Sequence, residues 1–271
     1  MDDIDRYLLE DLDNLGDITS NSLFNDEIAK AHIIAKENMI IAGLDEAKIV
    51  FNKLDAEMVF FTKNGNFIKK NTVVAEIIGP IKSILTGERL ALNFICRMSG
   101  IATETKKLTD LCKLKNPNIK IAGTRKTTPG FRKYEKKAIE IGGGYPHRSG
   151  LYDVVMVKDN HLKQFISVEK AINKVKQKVK NNIIEIEVEN ETDAIIAAKL
   201  DVDVIMLDNF TPIKAEVVTK KIKKINPNIT IEISGGINDK NIIKYASFSD
   251  RISIGYLTHS IKSKNLSLEI I

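Results

Sequence analysis

The sequence predicts an α/β protein of two unlike parts: a first α+β region, followed by an open, incomplete (β/α) barrel. Between Ile119 and His259 one pattern recurs, in which a short β-branched run leads into a polar loop rich in Gly, Asn or Asp and then into a helix-like stretch. The visible runs occupy about 150 residues, short of the eight strands and roughly 250 residues of a closed barrel. Residues before Thr103 lack this repetition. A doubly wound sheet is the competing architecture.

In chain order, Ile4, Tyr7, Leu8 and Leu12 fall on one face of a short opening helix. Hairpin-like strands follow, around turns such as Lys63-Asn64-Gly65-Asn66. Ser83 to Cys112 reads as one long helix or two, with Leu90, Phe94, Met98 and Ile101 at helical spacing. The repeating runs are Ile119–Ala122, Val154–Val157, Ile183–Val188, Val204–Leu207, Ile229–Ile233 and Ile252–Ile254, with amphipathic stretches such as Val168–Val179 and Ile213–Ile225 between them. Leu266 to Ile270 alternates as a strand does and is expected to return to the first domain. The expected domains are therefore 1–103, joined by 264–271, and 104–263.

Of the 271 residues, 43% are hydrophobic, which is enough for a packed core. No run approaches the roughly 18 apolar residues of a membrane span, and Met1 to Asp5 lacks the blocks of a signal peptide, so a cytoplasmic protein is expected. Cys96 and Cys112 have no CxxC or His-rich neighbour and read as packing residues. The net charge of +5 is spread over helices such as Glu169 to Lys180, a solvated face rather than a nucleic-acid stripe.

In a parallel βα array ligands meet the C-terminal ends of the strands, and here those ends are unusually polar. The first run ends in Gly123-Thr124-Arg125-Lys126-Thr127-Thr128-Pro129-Gly130, the second in Lys158-Asp159-Asn160-His161, and the fourth in Asp208-Asn209. Alternation places Glu185, Glu187 and Glu189 on one face of the third run. A solvated edge strand would explain that row, but Asp208 ending the next run favours a cationic partner such as Mg2+, or sugar hydroxyls. Ser234-Gly235-Gly236 and Gly255-Tyr256 close the last two runs as a phosphate cradle would. Arg125, Lys126, Arg132, Arg148 and Lys158, with His147, form a cationic set suited to a polyanion.

These residues fall in stretches by which the sequence resembles the nicotinate-nucleotide pyrophosphorylase (carboxylating) family, also called quinolinate phosphoribosyltransferase. The matching stretches are Gly16–Ser20 (GDITS), Gly87–Thr103 (GERLALNFICRMSGIAT), Gly123–Ala138 (GTRKTTPGFRKYEKKA), Gly142–Asp153 (GGGYPHRSGLYD) and Lys158–His161 (KDNH). They continue through Glu185–Asn190, Ile205–Asn209, Ile233–Ile237 and Ser253–Ser260. The resemblance implies an N-terminal α/β sandwich, an open barrel, and a homodimer or larger assembly whose active site is shared between subunits. It implies that phosphoribosyl passes from phosphoribosyl pyrophosphate to quinolinate with decarboxylation, giving nicotinate mononucleotide in NAD biosynthesis, with Mg2+.

Carried over residue by residue, Arg89, Arg125, His147 and Arg148 would hold the quinolinate carboxylates, and Lys126 and Lys158 would meet quinolinate or the pyrophosphate. Glu187 and Asp208 would bind the ribose hydroxyls and Mg2+, and Ser234, Gly235, Gly236 and Gly255 the 5′-phosphate. By its own sequence context Arg89 reads as a solvated helix residue, so its role rests on the resemblance. His161 and His259 are expected to give hydrogen-bonding support. One rival, suggested by the molybdenum-locus relatives, is a paralogue of the same fold acting on another pyridine or on an unknown substrate, although the TRKTTPG and KDNH stretches are intact here. The other is a non-catalytic polyanion binder, which has no use for Glu187 and Asp208.

Overall fold

The computed structural model describes residues 2–25 and 27–271. The chain forms two compact units, one running to Glu104 and including Ile261–Ile271, the other Thr105–Ser260.

The first unit contains α1 (Asp3–Leu12), α2 (Ile18–Leu23), β1 (Ile28–Ala35), β2 (Met39–Ile40), α3 (Leu44–Asn52), β3 (Glu57–Phe60), β4 (Phe67–Ile68) and β5 (Val73–Pro80). Asp2 and Asp5 close a reciprocal capping box at the start of α1. Alternation along β1 sends Ala31, Ile33 and Ala35 fully inward. The last strand of the chain pairs antiparallel with β1, Ala31 opposite Ile270 and Ala35 opposite Leu266. β5 pairs with the other edge of β1 and with β3, giving an antiparallel sheet.

The turn at Lys63–Asn66 does form, with Gly65 at φ +90. It does not join hairpin partners, however, because β3 pairs with β5 while β4 pairs with β2. Turn chemistry is local, whereas the choice of partner strand follows from which face must be buried. A single 33-residue helix, α4 (Ile81–Lys113), then carries the chain onward, with Phe94, Met98 and Ile101 buried.

The second unit alternates β6 (Lys120–Ala122), α5 (Arg132–Ile141), β7 (Val155–Val157), α6 (Asp159–Leu162), α7 (Val168–Lys178), β8 (Ile184–Val188), α8 (Glu191–Lys199), β9 (Val204–Asp208), α9 (Pro212–Ile225), β10 (Thr230–Ser234), a 3-10 turn at Ile242–Lys244, β11 (Arg251–Ser253) and α10 (Tyr256–His259). The chain's last strand, β12 (Leu266–Ile270), is the one paired with β1.

The second sheet is parallel with the order β6-β11-β10-β9-β8-β7. From β7 to β11 the order never reverses, and β6 lies beside β11, so the sheet curls as an open barrel and has no doubly wound switch point. β6 and β7 remain its edges. β8 lies between β7 and β9, so the acidic row it carries is not that of a solvated edge. Ile186, Ile205, Leu207, Ile231 and Ile233 form a continuous core with Ala194 and Ala197 of α8 and Val218 and Ile222 of α9. With that face committed to the helices, the period of two turns Glu185, Glu187 and Glu232 to the other face, the barrel interior. Among the described residues no helix is long and apolar enough to cross a membrane.

Candidate active site

A cavity of about 380 Å³ opens at the C-terminal ends of the second unit's strands. Arg125, Lys126, His147, Arg148, Lys158, Glu187, Asp208 and Ser234 line it, joined by Thr124, Met156, Met206, Glu232 and Ser253, which sequence reading had not singled out. Gly235, Gly236 and Gly255 are not among its lining residues, and Arg89 belongs to the first unit.

The loop after β6 is held by its own polar groups. The Lys126 amide donates to Thr124 Oγ1 at 3.1 Å, and Thr258 Oγ1, just after β11, donates to the Lys126 carbonyl at 2.7 Å. Arg132 serves this loop rather than the cavity, donating to Thr127 Oγ1 at 3.0 Å and to the Ser149 carbonyl at 3.1 Å. Arg148 donates to the Val154 carbonyl at 3.1 Å and is nearly buried. That burial, and the neighbouring Arg125 guanidinium, hold Arg148 below the usual arginine range. Among the described residues Arg125 has no carboxylate within ion-pair distance. Two guanidiniums that repel each other at the wall of one cavity make a site for an anion.

On the facing wall the Lys158 ammonium donates to the Glu187 carboxylate. The Lys158 backbone is fixed as well, since its amide donates to His161 Nδ1 at 3.0 Å, which gives His161 a supporting part in the KDNH turn. Asp208 ends β9 and accepts from Asn209 Nδ2 at 2.7 Å. Asn209 in turn limits the next loop, because a Cβ on Gly235 would stand 2.2 Å from its Oδ1 and Gly235 already has φ +88. Only glycine fits there. His259 packs over Gly255 and meets Ser260 Oγ at 2.6 Å, away from the cavity lining.

Below the cavity floor lies a buried ionic network. His147 Nε2 is 2.8 Å from Glu185 Oε2, and Arg251 NH2 donates to the same oxygen at 3.1 Å. Arg251 Nε and Ser253 Oγ donate to Glu232. Glu185 and Glu232 are fully buried. Burial, followed by the Glu185 charge, pushes the Glu232 carboxyl up, while Arg251 and Ser253 pull it back. His147, Glu185 and Glu232 bring ligand atoms within 4.8 Å of one another, yet Arg251 already supplies the counter-charge that a metal would. Lys136 Nζ donates to the His147 carbonyl at 2.6 Å. Burial, with Arg132 nearby, pushes Lys136 down to about 8.

Sequence reading missed Lys136, Glu232, Arg251 and Ser253 as parts of this floor. The signal was present for three of them, since charged or hydroxyl residues recur at every second position of β10 and β11.

Two family models match this chain: the quinolinate phosphoribosyl transferase C-terminal domain over residues 101–269 and the N-terminal domain over residues 17–99. The probable nicotinate-nucleotide pyrophosphorylase (carboxylating) of Bacillus subtilis is 40% identical over 98% of this chain and 92% of its own length. Its counterpart in Archaeoglobus fulgidus is 41% identical over 89% and 94%. The solved nicotinate-nucleotide pyrophosphorylase of Francisella tularensis superposes with a TM-score of 0.92 at 35% identity, over 99% of this chain and 94% of that one.

Proposed function

The chain belongs to the quinolinate phosphoribosyl transferase family, and from that premise we propose how its cavity carries out the family reaction. The enzyme transfers phosphoribosyl from phosphoribosyl pyrophosphate to quinolinate with decarboxylation, giving nicotinate mononucleotide, pyrophosphate and CO2 in NAD biosynthesis. The observation that carries the assignment of roles is the division of the cavity into an anion-seeking wall, Arg125 and Arg148, and a wall holding Lys158, Glu187 and Asp208.

On this reading Arg125, Arg148 and His147 hold the two pyridine carboxylates and aim the ring nitrogen at the ribose anomeric carbon. Glu187 and Asp208 fix the ribose hydroxyls and set negative charge beside the positive charge that develops on the sugar as pyrophosphate departs. Lys158 then has two partners of opposite use, Glu187 in the resting cavity and a phosphate oxygen once substrate enters. Lys126 lies on the same lining and meets the pyrophosphate. Ser234 and the backbone of Gly235, Gly236 and Gly255 take the 5′-phosphate. No side-chain nucleophile is needed, because the ring nitrogen attacks.

Glu187 and Asp208 are two carboxylates at the ends of neighbouring strands, too few for an all-protein cage and suited to a Mg2+ shared with phosphate oxygens. When bound there, Mg2+ would supply charge neutralisation for the leaving pyrophosphate. Once alkylated, the ring nitrogen is cationic and stabilises the carbanion left by CO2, so the protein has to orient the departing carboxylate and exclude water.

The active site is completed by a second copy of the chain. Arg89 has a side chain 69% exposed, and its only described ionic neighbour, Glu88, is 4.0 Å away, so it is free to serve a site in a homodimer partner. The test is product identification: purified chain with quinolinate, phosphoribosyl pyrophosphate and Mg2+ should yield nicotinate mononucleotide, and should fail when the metal is chelated. Formation of no such product would overturn the reading.

A further inference from the structure

The interior of the open barrel contains a second cavity of about 380 Å³, at the opposite end of the strands from the first. Lys120, Val204, Thr230 and Arg251, the first residues of β6, β9, β10 and β11, line it, and Glu185 faces it. Glu185 is absent from the lining of the upper cavity, whereas His147 lines both. His147 therefore forms part of the partition, with a fully buried carboxylate beneath it.

Three contacts hold the partition in one place. The ring's Nε2 meets Glu185 Oε2 at 2.8 Å, its carbonyl accepts from Lys136 at 2.6 Å, and the Tyr145 ring stacks on it at 6.0 Å and 7°. Glu185 is itself held by Arg251, which also meets Glu232. Arg251 also lies over the Tyr145 ring, at 5.7 Å. The groups facing the imidazole are thus Glu185 from β8, Glu232 from β10 and Arg251 from β11, with Arg148 adjacent in the chain. A carboxylate accepts hydrogen bonds and does not donate them, so the nitrogen facing it is the one that carries a proton. Nδ1 has no partner among the described residues.

We infer that Glu185 is a positioning residue, which keeps Nε2 of His147 protonated and directed downward and so leaves Nδ1 as the nitrogen that meets the pyridine carboxylate in the upper cavity. The inference rests on the reading of that cavity as the quinolinate site. It adds a specificity element that no lining residue supplies alone. An imidazole free to rotate would present either nitrogen to the ligand, whereas one tethered by Glu185 donates from Nδ1 once the ring has taken a second proton from solvent as the dianionic ligand binds. The cost of holding a buried carboxylate is offset within the floor by Arg251.

The direct test uses the wild-type protein. Nitrogen NMR of histidine-labelled protein, with His147 assigned through His147→Gln, should show Nε2 protonated without ligand and both nitrogens protonated with quinolinate. A neutral ring protonated only at Nδ1 would overturn the inference, even in an enzyme that turns quinolinate over. The kinetic arm uses Glu185→Gln, which keeps the shape and removes the charge. It should raise KM for quinolinate roughly tenfold while KM for phosphoribosyl pyrophosphate moves less than about twofold, because the charged acceptor that orients His147 is lost. Equal rises in both constants, or neither, would mean that Glu185 only supports the fold. If Glu185→Gln does not fold, the NMR arm still decides. Wild-type protein that neither binds nor turns over quinolinate would instead defeat the reading of the cavity, a different outcome from a wrong tautomer.

Discussion

The ammonium of Lys158 and the carboxylate of Glu187 neutralise each other across the resting cavity, from the ends of two adjacent parallel strands. On the proposed reading substrate breaks this ion pair as it enters, and each partner then meets a different part of phosphoribosyl pyrophosphate. Lys158→Ala and Glu187→Ala should both cost at least about a hundredfold in kcat/KM, the scale seen when one preorganised polar group of a site is removed. The Glu187 side chain is only 13% exposed, yet among the described residues its hydrogen-bond and ionic partner is the cavity residue Lys158, so melting temperatures should shift by no more than about 4 °C. Steady-state kinetics with thermal melts on the same samples checks both parts, and Asp208→Ala should behave like Glu187→Ala.

Substrate choice follows from the opposite wall. Arg125 and Arg148 repel each other, and on the proposed reading each takes a carboxylate of the substrate. Nicotinate supplies one carboxylate and quinolinate two, so kcat/KM should favour quinolinate by about a thousandfold or more, as for sites whose polar groups are left unpaired by an analogue. Competition between the two acids measures the ratio, and near-equal use would remove the assignment of the arginines.

The glycine loop after β10 separates strain from space. Gly235→Ala places a Cβ 2.2 Å from Asn209 Oδ1 at φ +88, while Gly236→Ala meets nothing within 4 Å at φ +61. Gly236→Ala should lose about 1 kcal/mol for the left-handed backbone, and Gly235→Ala clearly more, with displacement of Asn209 and Asp208. Denaturant titration ranks the two. A larger rise in KM for phosphoribosyl pyrophosphate in Gly235→Ala would accompany the loss.

Much of this was legible in the sequence. Each β-branched run of the second unit is a strand within a residue or two of its expected ends, because helices cover the sheet's outer face and its loops are polar. Partners across space were not legible. Alternation placed Glu185 on one face with Glu187 and Glu189, but its contacts, His147 38 residues away and Arg251 66 away, depend on how far the sheet curls. Lys136 lies on a helix full of lysines, and nothing in its spacing separates it from its solvated neighbours. The turn at Lys63–Asn66 was legible as a turn and misleading as a hairpin for the same reason.

Lys136 carries the pH signature of the fold. Its folded value of about 8 lies below the ordinary 10.5 because burial disfavours the charged form. Below pH 8 the lysine is charged in both folded and unfolded chains and the cost of burying it is fully present. Between about pH 8 and 10.5 the unfolded chain binds the extra proton, so this residue's contribution to stability rises with pH, by at most about 3 kcal/mol. Lys136→Met should lack that rise. The stability of wild type relative to Lys136→Met, followed by urea titration from pH 7.5 to 9.5, should therefore increase. A flat or falling difference would contradict the assignment.

A site completed by a homodimer partner predicts complementation. Arg89→Ala and Lys158→Ala should each be nearly inactive alone, and after subunit exchange should recover toward about one quarter of wild-type activity, since half the dimers are then hybrid with one intact site of two. Exchange confirmed by a tag without recovery would place Arg89 in its own subunit's function or in none.

On the proposed reading transfer and decarboxylation both occur in the cavity at the strand ends. It is tested most directly with quinolinate labelled in the carboxyl beside the ring nitrogen, by counting released CO2 against pyrophosphate in wild type, Glu187→Ala and Arg148→Ala. Equal amounts of the two products in wild type, lost together in both folded variants, is the expected result. Undiminished release of both products from a folded variant would show that the chemistry lies elsewhere.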